Sequence, residues 1–173
     1  MKILIQILSA IGSITAIIGA IFLLISFAKK MLYYPPNVIQ EASEKIANNF
    51  YIAVTLITVS TICFLGRKQI IKFDFHNTIK RNKIINAEIN GIFFSESDLN
   101  GVFSNFEGTE GRNRCDNFRG FINLENNETI PIEIIRHCYE KNRYIIISKK
   151  YYMDANIGDI RTSAFDYIQK ENY

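Results

Sequence analysis

Two long apolar runs occupy the first third of the chain, and alternating apolar and polar positions occupy most of the remainder. Ile3–Ala28 carries no charge across 26 residues, and Phe50–Gly66 carries none across 17. Crossing the hydrocarbon core of a bilayer takes roughly 20 apolar residues at about 1.5 Å of rise each. The first run is therefore long enough to span with some tilt, and the second is near the lower limit. From Arg67 onward charges recur too often for any further span. The pattern predicts a transmembrane region over residues 1–68, with spans at about 3–28 and 50–66, and a soluble domain over 69–173.

Beyond Gln69 the apolar period becomes two. Ile71, Phe73 and Phe75 alternate with Lys72 and Asp74, which reads as a first strand. Further strands are expected in Ile84–Phe94, Leu99–Phe106, Asn117–Leu124, Thr129–Cys138 and Arg143–Tyr152, with Ile160–Ile168 a last strand or a short helix. Glu125–Glu128 and Glu140–Asn142 are turn-forming segments between them. Short strands at this spacing predict the fold class: a membrane-anchored all-β protein, in which an N-terminal two-helix transmembrane hairpin precedes a small antiparallel β-barrel or β-sandwich. About 105 residues can bury a self-sufficient core, so the domain is expected to fold without the membrane.

The N-terminus differs from a cleaved secretory signal. Its apolar region is about twice the usual length, and it ends in Lys29-Lys30 rather than a small-residue cleavage site. The connection between the spans has features of its own. Tyr33 and Tyr34 suit the interfacial aromatic belt, Pro35-Pro36 break the first helix, and Asn37 with Gln40 reads as a capping box restarting a helix at Val38. Along the first span Ser9, Gly12, Ala16, Gly19 and Ala20 form one stripe of small residues. That stripe either packs on the second span or brings copies of the chain together. Thr55, Thr58, Ser60 and Thr61 on the second span can bond to carbonyls one turn back or across helices.

Charge then sets the orientation. Between Arg67 and Lys83 six basic residues face one acid, whereas from Ile84 to Tyr173 ten basic residues face fourteen acids. A basic block directly after a span suits an anionic cytoplasmic leaflet. Both termini and the soluble domain are therefore expected in the cytoplasm, and the chain in the inner (plasma) membrane as a multi-pass protein. Lys29 and Lys30 oppose this by lying in the external loop. With the domain outside, Cys115 and Cys138 would be free to pair; the cytoplasmic orientation argues that they do not. Asn127-Glu128-Thr129 matches a glycosylation sequon, relevant only to a lumenal domain.

Candidate chemistry is sparse. His137 and Cys138 are adjacent in an expected strand and so point to opposite faces, which excludes a dyad and leaves a core cysteine beside a surface histidine. Two histidines and scattered cysteines lack metal-ligand spacing, Cys63 lies within the second span, and no catalytic residue, metal or cofactor is expected. Glu96 and Asp98 read as turn residues. Glu107 and Glu110 lie in a glycine-bracketed loop followed by Arg112, Arg114 and Arg119, which reads either as a solvated loop or as an anion cradle.

Two N-terminal spans, a basic juxtamembrane step and a compact β-domain resemble in layout the bacterial antiphage effectors that join two transmembrane helices to a cyclic-oligonucleotide-sensing β-barrel. The resemblance covers the whole chain in organisation and rests on no sharp motif. It implies a barrel that binds a cyclic di- or trinucleotide, a homo-oligomer, and a membrane compromised on binding, with no covalent chemistry. Arg112, Arg114, Arg119, Arg136 and Arg143 would supply phosphate contacts, and Tyr144, Tyr151 or Tyr152 would stack on bases. Gly12, Ala16, Gly19 and Ala20 would pack spans together. The competing reading is a membrane-anchored module that binds a protein partner, such as a toxin-immunity factor or a secretion-system subunit.

Overall fold

The computed structural model describes residues 1–32, 39–108, 113–151 and 154–168. Tyr33, Tyr34, the Pro35-Pro36 break, the proposed cap at Asn37, Glu110, Arg112 and Tyr152 lie outside the described residues. The chain divides into two compact units, Met1–Ile70 and Ile71–Tyr173.

The first unit pairs two helices, α1 (Lys2–Leu32) and the start of α2 (Ile39–Arg81). Both are long and apolar enough to cross a membrane. Ile5, Gly12, Gly19 and Ser26 are buried at intervals of seven along α1, as are Ala53, Ser60 and Arg67 along α2. A seven-residue repeat keeps one seam of an α-helix facing its partner. Two glycines let the backbones approach. A Cβ on Gly12 would lie 3.2 Å from the Cys63 Cβ, and one on Gly19 would lie 3.0 Å from Ile57 Cγ1. The Ser60 hydroxyl exploits that approach by donating to the Gly12 carbonyl at 2.7 Å. Thr55, Thr58 and Thr61 instead donate to carbonyls four residues back, at 2.9, 2.8 and 2.9 Å. Arg67, 2 % exposed, donates from Nη1 to Ser9 Oγ at 2.7 Å and lies over the Phe64 ring.

Gly12 and Gly19 are thus engaged within the chain, while Ala16 is half-buried and Ala20 faces outward. Within the expected stripe, Gly12 and Gly19 are the positions at which the two helices approach. Gly19→Leu should force the helices apart against Ile57 and the Ala53 carbonyl oxygen, lowering stability by about 1–3 kcal/mol. Helical circular dichroism through an SDS titration of the detergent-solubilised chain reads this out, with Ala20→Leu as the silent control.

In the second unit α2 runs on to Arg81, and the alternation at Ile71–Phe75 proves helical. Ile71 and Phe75, four residues apart, are each 1 % exposed, whereas Phe73 between them is 62 % exposed. Six antiparallel strands follow: β1 (Ile84–Ile89), β2 (Ile92–Ser95), β3 (Arg114–Leu124), β4 (Thr129–His137), β5 (Arg143–Ser148) and β6 (Ala155–Arg161). They form one sheet in the order β2-β1-β3-β4-β5-β6. The sheet is not closed into a barrel, and its edges are β2 and β6, which corrects the expected barrel or sandwich.

Three boundaries also differ from expectation. Ile84–Phe94 is a hairpin, turned by Asn90-Gly91 with both φ angles positive (53° and 76°), as tight hairpin turns require. Leu99–Phe106 is a series of turns whose Leu99 and Phe103 are buried. The last strand ends at Arg161, and turns follow it to Ile168. The expected turns at Glu125–Glu128 and Glu140–Asn142 are present, closed by Asn127 N–H to Leu124 O at 3.0 Å and Arg143 N–H to Glu140 O at 3.0 Å.

Cross-strand register defines the faces. Phe118, Ile122, Ile130, Ile132, Ile134, Tyr144, Ile146 and Ile160 share the core face. Phe165 packs edge-on against both Phe94 and Tyr144, with ring centroids 5.3 and 5.5 Å away. The opposite face carries a smaller buried cluster of Ile135, Ile145 and Ile147.

Candidate binding cleft

A cleft of about 600 Å³ opens where the end of α2 meets the turns after β2. Its apolar floor is Ile79, Leu99 and Phe103, and its rim carries His76, Lys80 and Asn82. The α2 tail supplies one wall because Ile71, Phe75 and Ile79 recur every fourth residue and leave Lys80 exposed, while His76 packs edge-on against Phe106 at 4.6 Å and burial lowers its pKa. The turns supply the other. There Asp98 Oδ2 accepts from the Ser95 N–H at 2.8 Å and its hydroxyl at 2.7 Å, which holds the Asp98 carboxyl below its usual range. Glu96 and Asp98 are therefore turn residues, as expected. Lys83 reaches Glu96 at 2.6 Å, and that hydrogen bond raises the ammonium pKa. A helix C-terminus carries partial negative charge, and Lys80 and Arg81 in the last turn of α2 oppose it. An apolar floor with a few polar groups on its rim, at this volume, is the usual constitution of a small-molecule site.

Among the described residues, the arginines and tyrosines expected to hold phosphates and bases do not converge. Arg143, 3 % exposed, is held by Asp159 at 2.8 Å and Glu140 at 2.8 Å. Arg136 Nη2 donates to the carbonyls of Phe165 and Ile168 at 3.1 and 2.9 Å, and its guanidinium lies over the Phe118 and Tyr144 rings. It fastens the C-terminal turn to the sheet. Tyr144 is fully buried and donates to Asp166 at 2.8 Å; burial first, then that bond, pushes its hydroxyl up to about 12. Tyr151 donates to Asp74 on α2, and burial followed by that carboxylate raises its pKa as well. Lys150 bridges Asp74 at 3.0 Å and Glu128 at 2.6 Å; burial lowers its pKa, but the two carboxylates outweigh burial and the net shift is upward.

Arg114 and Arg119 are different. Both are exposed, and five residues apart on a regular strand they would point to opposite faces. A bulge intervenes: Arg114 lies opposite His137 and Asn117 opposite Ile135, so three steps on β3 match two on β4. Arg114, Asn117 and Arg119 consequently share the face of Ile135, away from the core. Asn117 donates to Glu133 there, and Glu133 also meets Lys149 at 2.5 Å.

The bulge contains Cys115, which is bonded to Cys138 just past the end of β4. The cytoplasmic orientation argued against this pairing, yet cross-strand register brings the two Cα atoms to 5.1 Å. His137 and Cys138 also reverse their expected places. His137 is 7 % exposed, and its Nδ1 accepts from the Glu140 N–H at 3.2 Å, while Cys138 is exposed. Among the described residues no cluster has the composition of a metal site.

Comparison with family models, curated proteins and solved structures returns no match to this chain.

Sequence reasoning missed the cleft, and its signal was present. The Ile71, Phe75 and Ile79 spacing marks a helix with His76 and Lys80 beside its buried stripe, ending just before Asn82.

Proposed function

We propose that this chain is a membrane-anchored sensor, in which the α1–α2 hairpin spans the bilayer and the β-domain takes an anionic small molecule with a flat or apolar body into the α2 cleft. The observation that carries the reading is the cleft itself: an apolar floor, a polar rim on which Lys80 stands exposed, and enough room for a nucleotide-sized ligand. Lys80 would meet the phosphates, and Phe103 and Leu99 the bases. The resemblance in layout makes a cyclic di- or trinucleotide the first ligand class to test, with the domain in the cytoplasm as the juxtamembrane lysines and arginines favour. Ligand-driven homo-oligomerisation and membrane disruption belong to the same proposal. With Gly12 and Gly19 engaged inside the hairpin, contacts between copies would use the outward apolar faces of the helices.

A second reading, a membrane-anchored module for a protein partner, draws on Arg114, Asn117 and Arg119 standing exposed on one face of an open sheet. Thermal melts of the full chain in nanodiscs against a panel of cyclic di- and trinucleotides separate the two. Ligand at 100 times its Kd stabilises by about 2.7 kcal/mol, a shift of several degrees. The sensor reading expects such a shift with one member, abolished by Lys80→Glu and kept by Arg119→Glu. The opposite pattern moves the site to the β3 face. A flat response from folded protein defeats the small-molecule reading for these ligands and favours the protein partner.

A further inference from the structure

We infer that the Cys115–Cys138 pair is a thiol–disulfide exchange site for a zwitterionic low-molecular-weight thiol of the glutathione class. Both cysteines are exposed, and they line a cleft of about 400 Å³ on the side of the sheet that ends in His137. The lining carries charge of both signs, Arg136 and Lys141 beside Asp116 and Asp166. Arg136 and Asp116 face each other at 3.5 Å, and Lys141 stands exposed; a tripeptide thiol would set a carboxylate on Lys141 and its ammonium beside Asp116. The setting is also one in which the bond can open without loss of the fold. Cys115 lies in the bulge, outside the regular β3–β4 ladder, and Cys138 follows the last paired residue of β4. Opening the bond removes no ladder hydrogen bond and no member of the apolar core.

The reaction balances with the thiol as the only co-reactant. An incoming thiolate attacks Cys138 Sγ, drawn there by the Lys141 ammonium on the neighbouring turn; a new S–S bond forms and Cys115 leaves as a thiolate, which takes up a proton. A second thiol then releases Cys138, giving two protein thiols and one oxidised thiol dimer. Exchange depends on access to sulfur and on nearby positive charge, and the cleft supplies both. The pair is distinct from the α2 cleft, so the outcome is independent of the sensor reading.

The test uses the folded full chain in detergent micelles, treated with excess reduced glutathione, quenched with a maleimide, and mapped at Cys115 and Cys138 by peptide mass spectrometry. The expected result is a glutathione adduct on Cys138 that precedes full reduction, with the far-ultraviolet circular dichroism unchanged. In Cys115→Ser, oxidised glutathione should modify Cys138 roughly fivefold faster than in Cys115→Ser/Lys141→Glu, since reversing one exposed charge near the sulfur is worth about that factor. A pair that stays closed until denaturant is added overturns the inference, as do equal rates with and without Lys141→Glu.

Discussion

Asp159→Ala is expected to destabilise the β-domain by about 3–5 kcal/mol, the usual cost of removing one partner from a buried ion pair. Asp159 is 1 % exposed, and its Oδ2 receives both Nε and Nη2 of Arg143, at 2.9 and 2.8 Å. Truncation leaves the buried Arg143 guanidinium without its most buried carboxylate and beside Glu140, whose side chain is 34 % exposed. Coulomb attraction to a half-solvated partner does not replace a buried one. The chain has nine tyrosines and no tryptophan, so tyrosine fluorescence through a urea titration of the full chain in micelles reports the change. The companion variant Asp159→Leu/Arg143→Met removes both charges, and most of the lost stability should return. If the single variant melts like the wild type, the pair contributes little and the network around it is solvated.

Gly120→Ala should be at least as damaging, a loss of about 3 kcal/mol or more from a single methyl group. Gly120 lies in β3 between β1 and β4, opposite Ile89 and Ile132. An added Cβ would collide with the Glu88 carbonyl oxygen and come within 2.8 Å of the Ile89 Cα. These are backbone atoms of a paired strand, so relief requires β1 to move off β3 and take β2 with it. Gly66→Ala, where an added Cβ meets nothing within 4 Å, is the matched control. Hydrogen exchange of the β1 and β3 amides localises the effect: protection should fall on those strands before it falls on β5.

What could be read from the sequence follows from how far each signal reaches along the chain. The two apolar helices were legible because charge-free runs are long, local statements. The β3–β4–β5 meander was legible for a similar reason, since its turns at Glu125–Glu128 and Glu140–Asn142 declare themselves in composition. Ile71–Phe75 misled because three alternating apolar positions fit a strand and two of the three fit a helix. Carrying the spacing on to Ile79 separates these, and the burial of Ile71 and Phe75 against the exposure of Phe73 agrees with the helix. Asn90-Gly91 is among the strongest local hairpin signals, and the run Ile84–Phe94 obscured it.

The candidate site was harder to see. An arginine's availability depends on what register places beside it. Nothing near Arg143 in sequence says that Asp159 will lie diagonally across β5 and β6. Nor does local sequence say that a bulge at Cys115 will bring Arg114 onto the same face as Arg119. The cleft arises from two elements both first read as strands, so its walls were assigned the wrong geometry before any side chain was considered.

The two edges of the sheet bear on how copies of the domain would meet if the helices hold them in a bilayer. Beyond β6, Glu107 and Asp159 exchange backbone hydrogen bonds at 2.8 and 3.2 Å, so the chain's own residues occupy the middle of that border. The other border, β2, is four residues long. Tethering to a membrane confines copies to two dimensions and raises their effective concentration, the condition under which bare strand edges zip together into aggregates. A domain with one border stoppered and the other short can be crowded without polymerising.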